Sequence, residues 1–264
     1  RFVNWLNTSQ GYQAAYKFNT DGSNDNIVLW SSAEAWQQGG ENLYRHKDAK
    51  YFLPNEDEWY KAAYYDGSSS TYYNYATGSD NTPGAVASGT DFGTAVYFNG
   101  VTPSFGPADI TDAGGLSPYG TMAQNGNVWE WSESAFDGVN DTNSEVRVRR
   151  GCGWGGTSNF MLSTNRLNPN PYDDYVTNGF RVASVADPLD IEFVEIGNPG
   201  NAQDDSGHGV VDYTYSIGKY EVSEAMIDAY NADSGGPVID MVDMSSYGGN
   251  GPNKPATGVS WNEA

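Results

Sequence analysis

The chain opens on Arg1-Phe2-Val3-Asn4-Trp5-Leu6 and closes on Val259-Ser260-Trp261-Asn262-Glu263-Ala264, and the two segments read as halves of one helix. Ser260 followed three residues later by Glu263 is a capping-box pair, the signal of a helix start. Only Ala264 follows it, and a helix that short is unstable in water on its own. The missing turns are supplied by residues 1–6, an amphipathic run with no cap. If one residue is inserted between Ala264 and Arg1, then Trp261, Ala264, Val3 and Leu6 share a helical face. Joined directly, they drift off it. The expectation is a helix interrupted at the chain ends, with four origins open: a cut between tandem domains, a circular permutation, an internal break, or completion by a neighbouring subunit.

Charge narrows the partners. Acidic residues number 34 against 13 basic, a balance of −21. Such a chain repels nucleic acid and anionic membranes, and bound cations, calcium above all, would relieve its self-repulsion. A plain solvated acidic surface fits equally well. A single cysteine, Cys152, excludes an internal disulfide and a thiolate-rich metal site. His46 and His208 are too few for a three-histidine zinc site. No apolar run reaches transmembrane length. Tyrosine, tryptophan and glycine abundance suggests a secreted or cell-surface protein.

Regular structure is sparse. Asn55 caps a helix running to Tyr64, with Glu56, Asp57 and Glu58 at its positive end and Trp59, Ala62 and Ala63 on its apolar side. A second helix is expected from Ser31 to Gln38, stopped by Gly39-Gly40, and a third from Ser223 through Tyr230. Strands are expected at 146–150, 179–183, 192–196 and 213–217. Residues 66–120 and 233–258 are rich in Gly, Ser, Asp, Asn and Pro, and predict long ordered loops.

Several segments carry a family resemblance: Leu53-Pro54-Asn55-Glu56-Asp57-Glu58-Trp59, Gly126-Asn127-Val128-Trp129-Glu130-Trp131, Arg150-Gly151-Cys152-Gly153-Trp154, Asn178-Gly179-Phe180-Arg181-Val182-Ala183, Ile217-Gly218-Lys219-Tyr220-Glu221-Val222-Ser223 and the final hexapeptide. Together they resemble the formylglycine-generating-enzyme, or sulfatase-modifying-factor, family, in its short exported bacterial form. The resemblance implies a single α+β, loop-rich domain with the C-type-lectin-like fold. It also implies a permuted order: residues 191–264 match the family's N-terminal part, 1–184 its C-terminal part, and 185–190 form the junction.

The resemblance further implies a pair of copper-binding cysteines, and the matching positions here are Gly156 and Met161. Thiolate coordination of Cu(I) and oxidation of a substrate cysteine need that soft pair, so no copper and no such activity are expected. Cys152 stands where relatives have glycine and reads as a small buried residue. His46 reads as a solvated or capping histidine, because no Gly-x-Ser-x-Gly elbow accompanies it. His208, in Gly207-His208-Gly209, reads as a turn.

A calcium loop is also implied, using the carbonyls of Gly126 and Val128 and the side chain of Glu130. Ala123 stands where relatives supply a further ligand, and calcium wants about six to eight oxygens. Glu130 pairing with a core arginine such as Arg181 is the other reading. Trp129, Trp131, Trp154, Tyr172 and Tyr175 fall near the groove where relatives hold peptide, and could stack on a glycan or peptide; core packing serves the tryptophans equally, and a surface loop the tyrosines. The resulting expectation is a non-catalytic structural or adhesive domain, with head-to-tail assembly possible. A groove-based receptor is the alternative.

Overall fold

Two small β-sheets, one antiparallel and one mixed, organise the chain; the computed structural model describes residues 1–19, 27–100, 106–185 and 191–264. A four-stranded sheet runs in the order Phe193–Ile196, Tyr215–Gly218, Ala183–Ser184, Tyr51–Phe52, antiparallel throughout. A three-stranded sheet has Trp129–Ala135 at its centre, antiparallel to Arg147–Arg150 and parallel to Asn178–Gly179. The expected strand at 179–183 is therefore divided. Its first residue pairs in one sheet and its last in the other, with Phe180, Arg181 and Val182 buried between them. The expected junction at 185–190 lies, beyond Val185, outside the described residues.

Helix α1 spans Phe2–Thr8, α2 Glu56–Tyr64 and α3 Glu224–Asp233. In α2 the capping box is complete: Asn55 Oδ1 accepts from Glu58 N at 2.8 Å and Glu58 Oε2 accepts from Asn55 N at 2.6 Å. Ser223 caps α3 by accepting from Met226 N. The two chain ends meet as the pattern anticipates. Arg1 N donates to Asn262 O at 3.1 Å, Phe2 N to Glu263 O at 2.9 Å and Val3 N to Ala264 O at 2.9 Å. That ladder has the i to i−4 phase of a helix with one residue between Ala264 and Arg1. Trp261, Ala264, Val3 and Leu6 are all buried on its inner face.

Residues 31–38 correct the helix expected there. Ser31 Oγ donates to Glu34 Oε2 at 2.6 Å and Ala35 N reaches Ser31 O, which makes one turn. The chain then extends as Ala35–Trp36 against Asn42–His46. Tertiary packing overrides the local signal: Trp36 lies against Phe52, Tyr213 and the Arg45 guanidinium. The loop-rich stretch from 66 onward carries only short ladders, such as Gly84–Ala85 with Thr94–Ala95. No helix among the described residues is long and apolar enough to cross a membrane.

Candidate functional site

The sequence motifs are joined to one another by carboxylate–guanidinium pairs. Arg150, beside the Cys152 turn, donates through Nε to Glu56 Oε1 at 2.7 Å, and Arg166 Nη2 lies 2.8 Å from the other oxygen. Arg181 donates to Glu130 through Nε and Nη2, both at 2.5 Å. Its remaining hydrogens go to the carbonyls of Met122, Gly218 and Lys219. Glu58 and Glu133 grip Arg45 from two sides, and all three side chains have no solvent exposure. The acidic residues of the motifs thus hold loops and sheets in register.

This arrangement bears directly on calcium at Gly126, Val128 and Glu130. Both Glu130 oxygens are taken, since Trp59 Nε1 also donates to Oε2 at 2.7 Å. A cation there would have to displace Arg181, so the residues do not fit a bound calcium ion as they stand. Gly126 has a different requirement: its φ is +87°, and a Cβ would sit 2.2 Å from Val96 O. Among the described residues no group of three His, Cys, Asp or Glu is placed to hold a metal.

Glu221 lies behind the same loop. It is buried, accepts from Asn127 Nδ2 and Val128 N, and burial, then the neighbouring Glu130, pushes its pKa well above the ordinary carboxylate value of 4.5. Above pH 4.5 an unfolded Glu221 ionises while the folded one keeps its proton, so folding takes up a proton and loses stability as pH rises. Glu221→Gln removes that term. Urea titrations at pH 4 and pH 8 should show the difference from wild type moving in the variant's favour at the higher pH; a pH-independent difference would contradict the assignment.

Cys152 has φ +74°, a conformation costing a non-glycine residue about 1–2 kcal/mol. The cost is met by burial in a cluster with Trp129, Met161, Tyr75 and Tyr97. Desolvation raises the thiol pKa to about 12. A Cβ built on Gly156 would meet Cys152 Sγ at 2.4 Å, so the Cys152 side chain occupies the space that a side chain at 156 would need. Met161, the other matching position, is fully buried. With one thiol in the chain and this packing, the residues do not fit a Cu(I) centre.

The expected aromatic residues divide. Trp129 stacks edge-on to Phe160, and Tyr175 and Trp129 both face Arg149. Tyr172 and Tyr175 are 42% and 57% exposed, on the loop leading into Asn178. Trp131 is core, donating to Val259 O. Trp154 packs in another cluster and against Tyr247, apart from that grouping. His46 is 8% exposed rather than solvated: its Nδ1 accepts from Asp48 N, closing a turn, and its ring stacks on Trp30. His208 sits in a turn, 3.9 Å from Glu56 Oε1 and 3.7 Å from Asp57 Oδ1. Sequence reasoning missed Arg149; the signal was three arginines within Arg147-Val148-Arg149-Arg150 in a chain short of cations.

Fold and motif pairing define a formylglycine-generating-enzyme-like domain of the C-type-lectin-like class. Residues 3–186 match the family described as sulfatase-modifying factor enzyme 1-like domain, and the chain belongs to it. It lacks that family's cysteine pair. Similar solved structures include "Crystal Structure of CarF", at 20% identity and TM-score 0.47, over 68% of this chain and 62% of that one. Treponema denticola variable protein 1 is similar at 20% identity and TM-score 0.45, over 68% and 65%. The chain thus spans less than two thirds of either structure. No curated protein matches.

Proposed function

We propose that this chain is a non-catalytic member of its family, exported to the cell surface or medium, with a structural or adhesive role. One observation carries the non-catalytic part of the reading: the side chain of Cys152, the chain's one thiol, is buried and fills the space beside Gly156, the position that matches a family cysteine. At pH 8 a thiol with a pKa near 12 is about one part in ten thousand thiolate. An aromatic disulfide reagent should therefore leave the native protein unlabelled and consume one thiol after denaturation. Rapid labelling of the native protein, or stoichiometric Cu(I) binding at that thiol, would sink the reading.

Head-to-tail assembly belongs to the same proposal. The helix ladder joining residues 262–264 to residues 1–3 could be made with a neighbouring copy, which would exchange the 191–264 segment between subunits. Light scattering across a concentration series should show a ladder of multimers; a monodisperse monomer at all concentrations would remove assembly from the proposal. A second reading, ligand binding in the groove, is favoured by Trp129 and the exposed Tyr175 facing one arginine.

A further inference from the structure

Five arginines are buried among the described residues: Arg45, Arg147, Arg149, Arg150 and Arg181. Four have a carboxylate oxygen within 4 Å. Arg45 has Glu58 and Glu133, Arg147 has Glu145, Arg150 has Glu56 and Arg181 has Glu130. Arg149 has none. It is 8% exposed, its Nη1 donates to Asn178 Oδ1, and its buried Nε makes no hydrogen bond. Burial lowers its pKa to about 10, with Asp173 the strongest opposing influence from beyond ion-pair range, so it stays charged at neutral pH. A desolvated cation without a counter-charge is costly, and the cost is recovered when an anion arrives.

What surrounds the guanidinium is aromatic. Its carbon lies 5.0 Å from the Trp129 ring centre and 5.9 Å from that of Tyr175. Phe160, 39% exposed, adjoins Trp129 at 5.7 Å. The loop carrying Tyr175 is fixed to the sheet by Asn178, whose Nδ2 donates to Asp173 O and whose backbone N donates to Tyr175 O. The edge of strand Arg147–Arg150 is closed: Arg149 and Leu167 exchange backbone hydrogen bonds at 3.0 Å, and Arg147 N donates to Pro169 O. An extended peptide therefore finds no free ladder there. A compact ligand with one flat face and one carboxylate meets both the fork and the rings.

We propose that Arg149, with Trp129, Phe160 and Tyr175, forms a site for a carboxylate-bearing sugar, a hexuronic acid residue. The guanidinium fork takes the carboxylate, and the pyranose face lies against the Tyr175 ring. The site rests on the ligand-binding reading of the groove. At about 150 mM salt the Debye length is ~8 Å, so the chain's remote negative charges are largely screened and the local cation decides.

Calorimetric titration with glucuronic acid, glucose and N-acetyltyrosine at that salt tests the proposal. Glucuronic acid should bind saturably, and glucose at least tenfold more weakly. Arg149→Lys keeps the charge but loses the planar fork, and should weaken glucuronic acid binding about tenfold. Tyr175→Ala changes an exposed ring and leaves the backbone hydrogen bond from Asn178 N to Tyr175 O in place, so it should melt like wild type and bind severalfold more weakly. If Arg149→Lys does not fold, Tyr175→Ala decides. Equal binding of glucose, tighter binding of N-acetyltyrosine, or an unchanged Tyr175→Ala would each overturn the proposal. Absence of any binding up to about 10 mM would overturn it too, while leaving the non-catalytic reading, which turns on the Cys152 thiol, untouched.

Discussion

Replacing Arg45 by alanine is expected to cost a large part of the fold's stability. Arg45 donates to Glu58 at 3.0 and 2.9 Å and to Glu133 at distances from 2.7 to 3.1 Å, in a place no solvent reaches. Tyr16 and Asn42 complete the partners of Glu133, and Tyr213 donates to Glu58. Removing the cation leaves two carboxylates buried side by side. Breaking one buried pair costs about 3–5 kcal/mol, a large part of the roughly 5–15 kcal/mol that holds a domain together. Desolvation already raises the Glu133 pKa against the pull of Arg45, and without Arg45 that pull is gone. Arg45→Ala should lower the melting temperature by more than about 10 °C, with Arg45→Met/Glu58→Gln/Glu133→Gln recovering part of it. A melting point within a degree or two of wild type would show that this triad does not hold the structure.

The second large effect is expected at Glu130 and Arg181. Arg181→Met leaves Glu130 with Trp59 alone and frees the carbonyls of Met122, Gly218 and Lys219. The cost should again be about 3–5 kcal/mol in urea unfolding, reduced when Glu130→Gln is added. The same samples decide the metal question. Since Arg181 fills the place of a cation, wild-type melting curves with calcium and with chelator should coincide. A ligand of the folded state must raise its stability, so a calcium-dependent rise of several degrees in the wild type that is lost in Glu130→Gln would mean that Glu130 is a metal ligand after all.

Local signals in the sequence were read well where local physics decides the outcome. Asn55 with Glu58 defines the start of α2, and the spacing of Trp261, Ala264, Val3 and Leu6 gives the phase in which the chain ends meet. The Glu130–Arg181 pair was one of two readings, and the structure contains it. The local signal misled at 31–38, where Ser31 and Glu34 form a cap but Trp36 packs better as a strand beside Arg45. Of the two readings of His46 the capping one holds, since Nδ1 accepts from Asp48 N; its contact with Trp30 stayed hidden because it joins residues 16 apart in sequence. What stayed hidden were partners far apart in the chain: Arg150 with Glu56, and Arg45 with Glu133. A carboxylate in a motif looks the same on the page whether it faces a substrate, a metal or an arginine. The arginine-rich run Arg147-Val148-Arg149-Arg150 is visible in the sequence, but nothing in it tells the arginine without a carboxylate partner, Arg149, from its paired neighbours.

The family's motifs survive here as structural ties in a chain without the family's cysteine pair, and the proposal is that its thiol chemistry is lost with that pair. The most direct measurement incubates the purified protein with Cu(I), oxygen and a cysteine-containing peptide, and follows the peptide by mass spectrometry. The cysteine should remain unconverted, with no aldehyde above a protein-free control. Enzyme-dependent aldehyde formation at the peptide cysteine would contradict the claim.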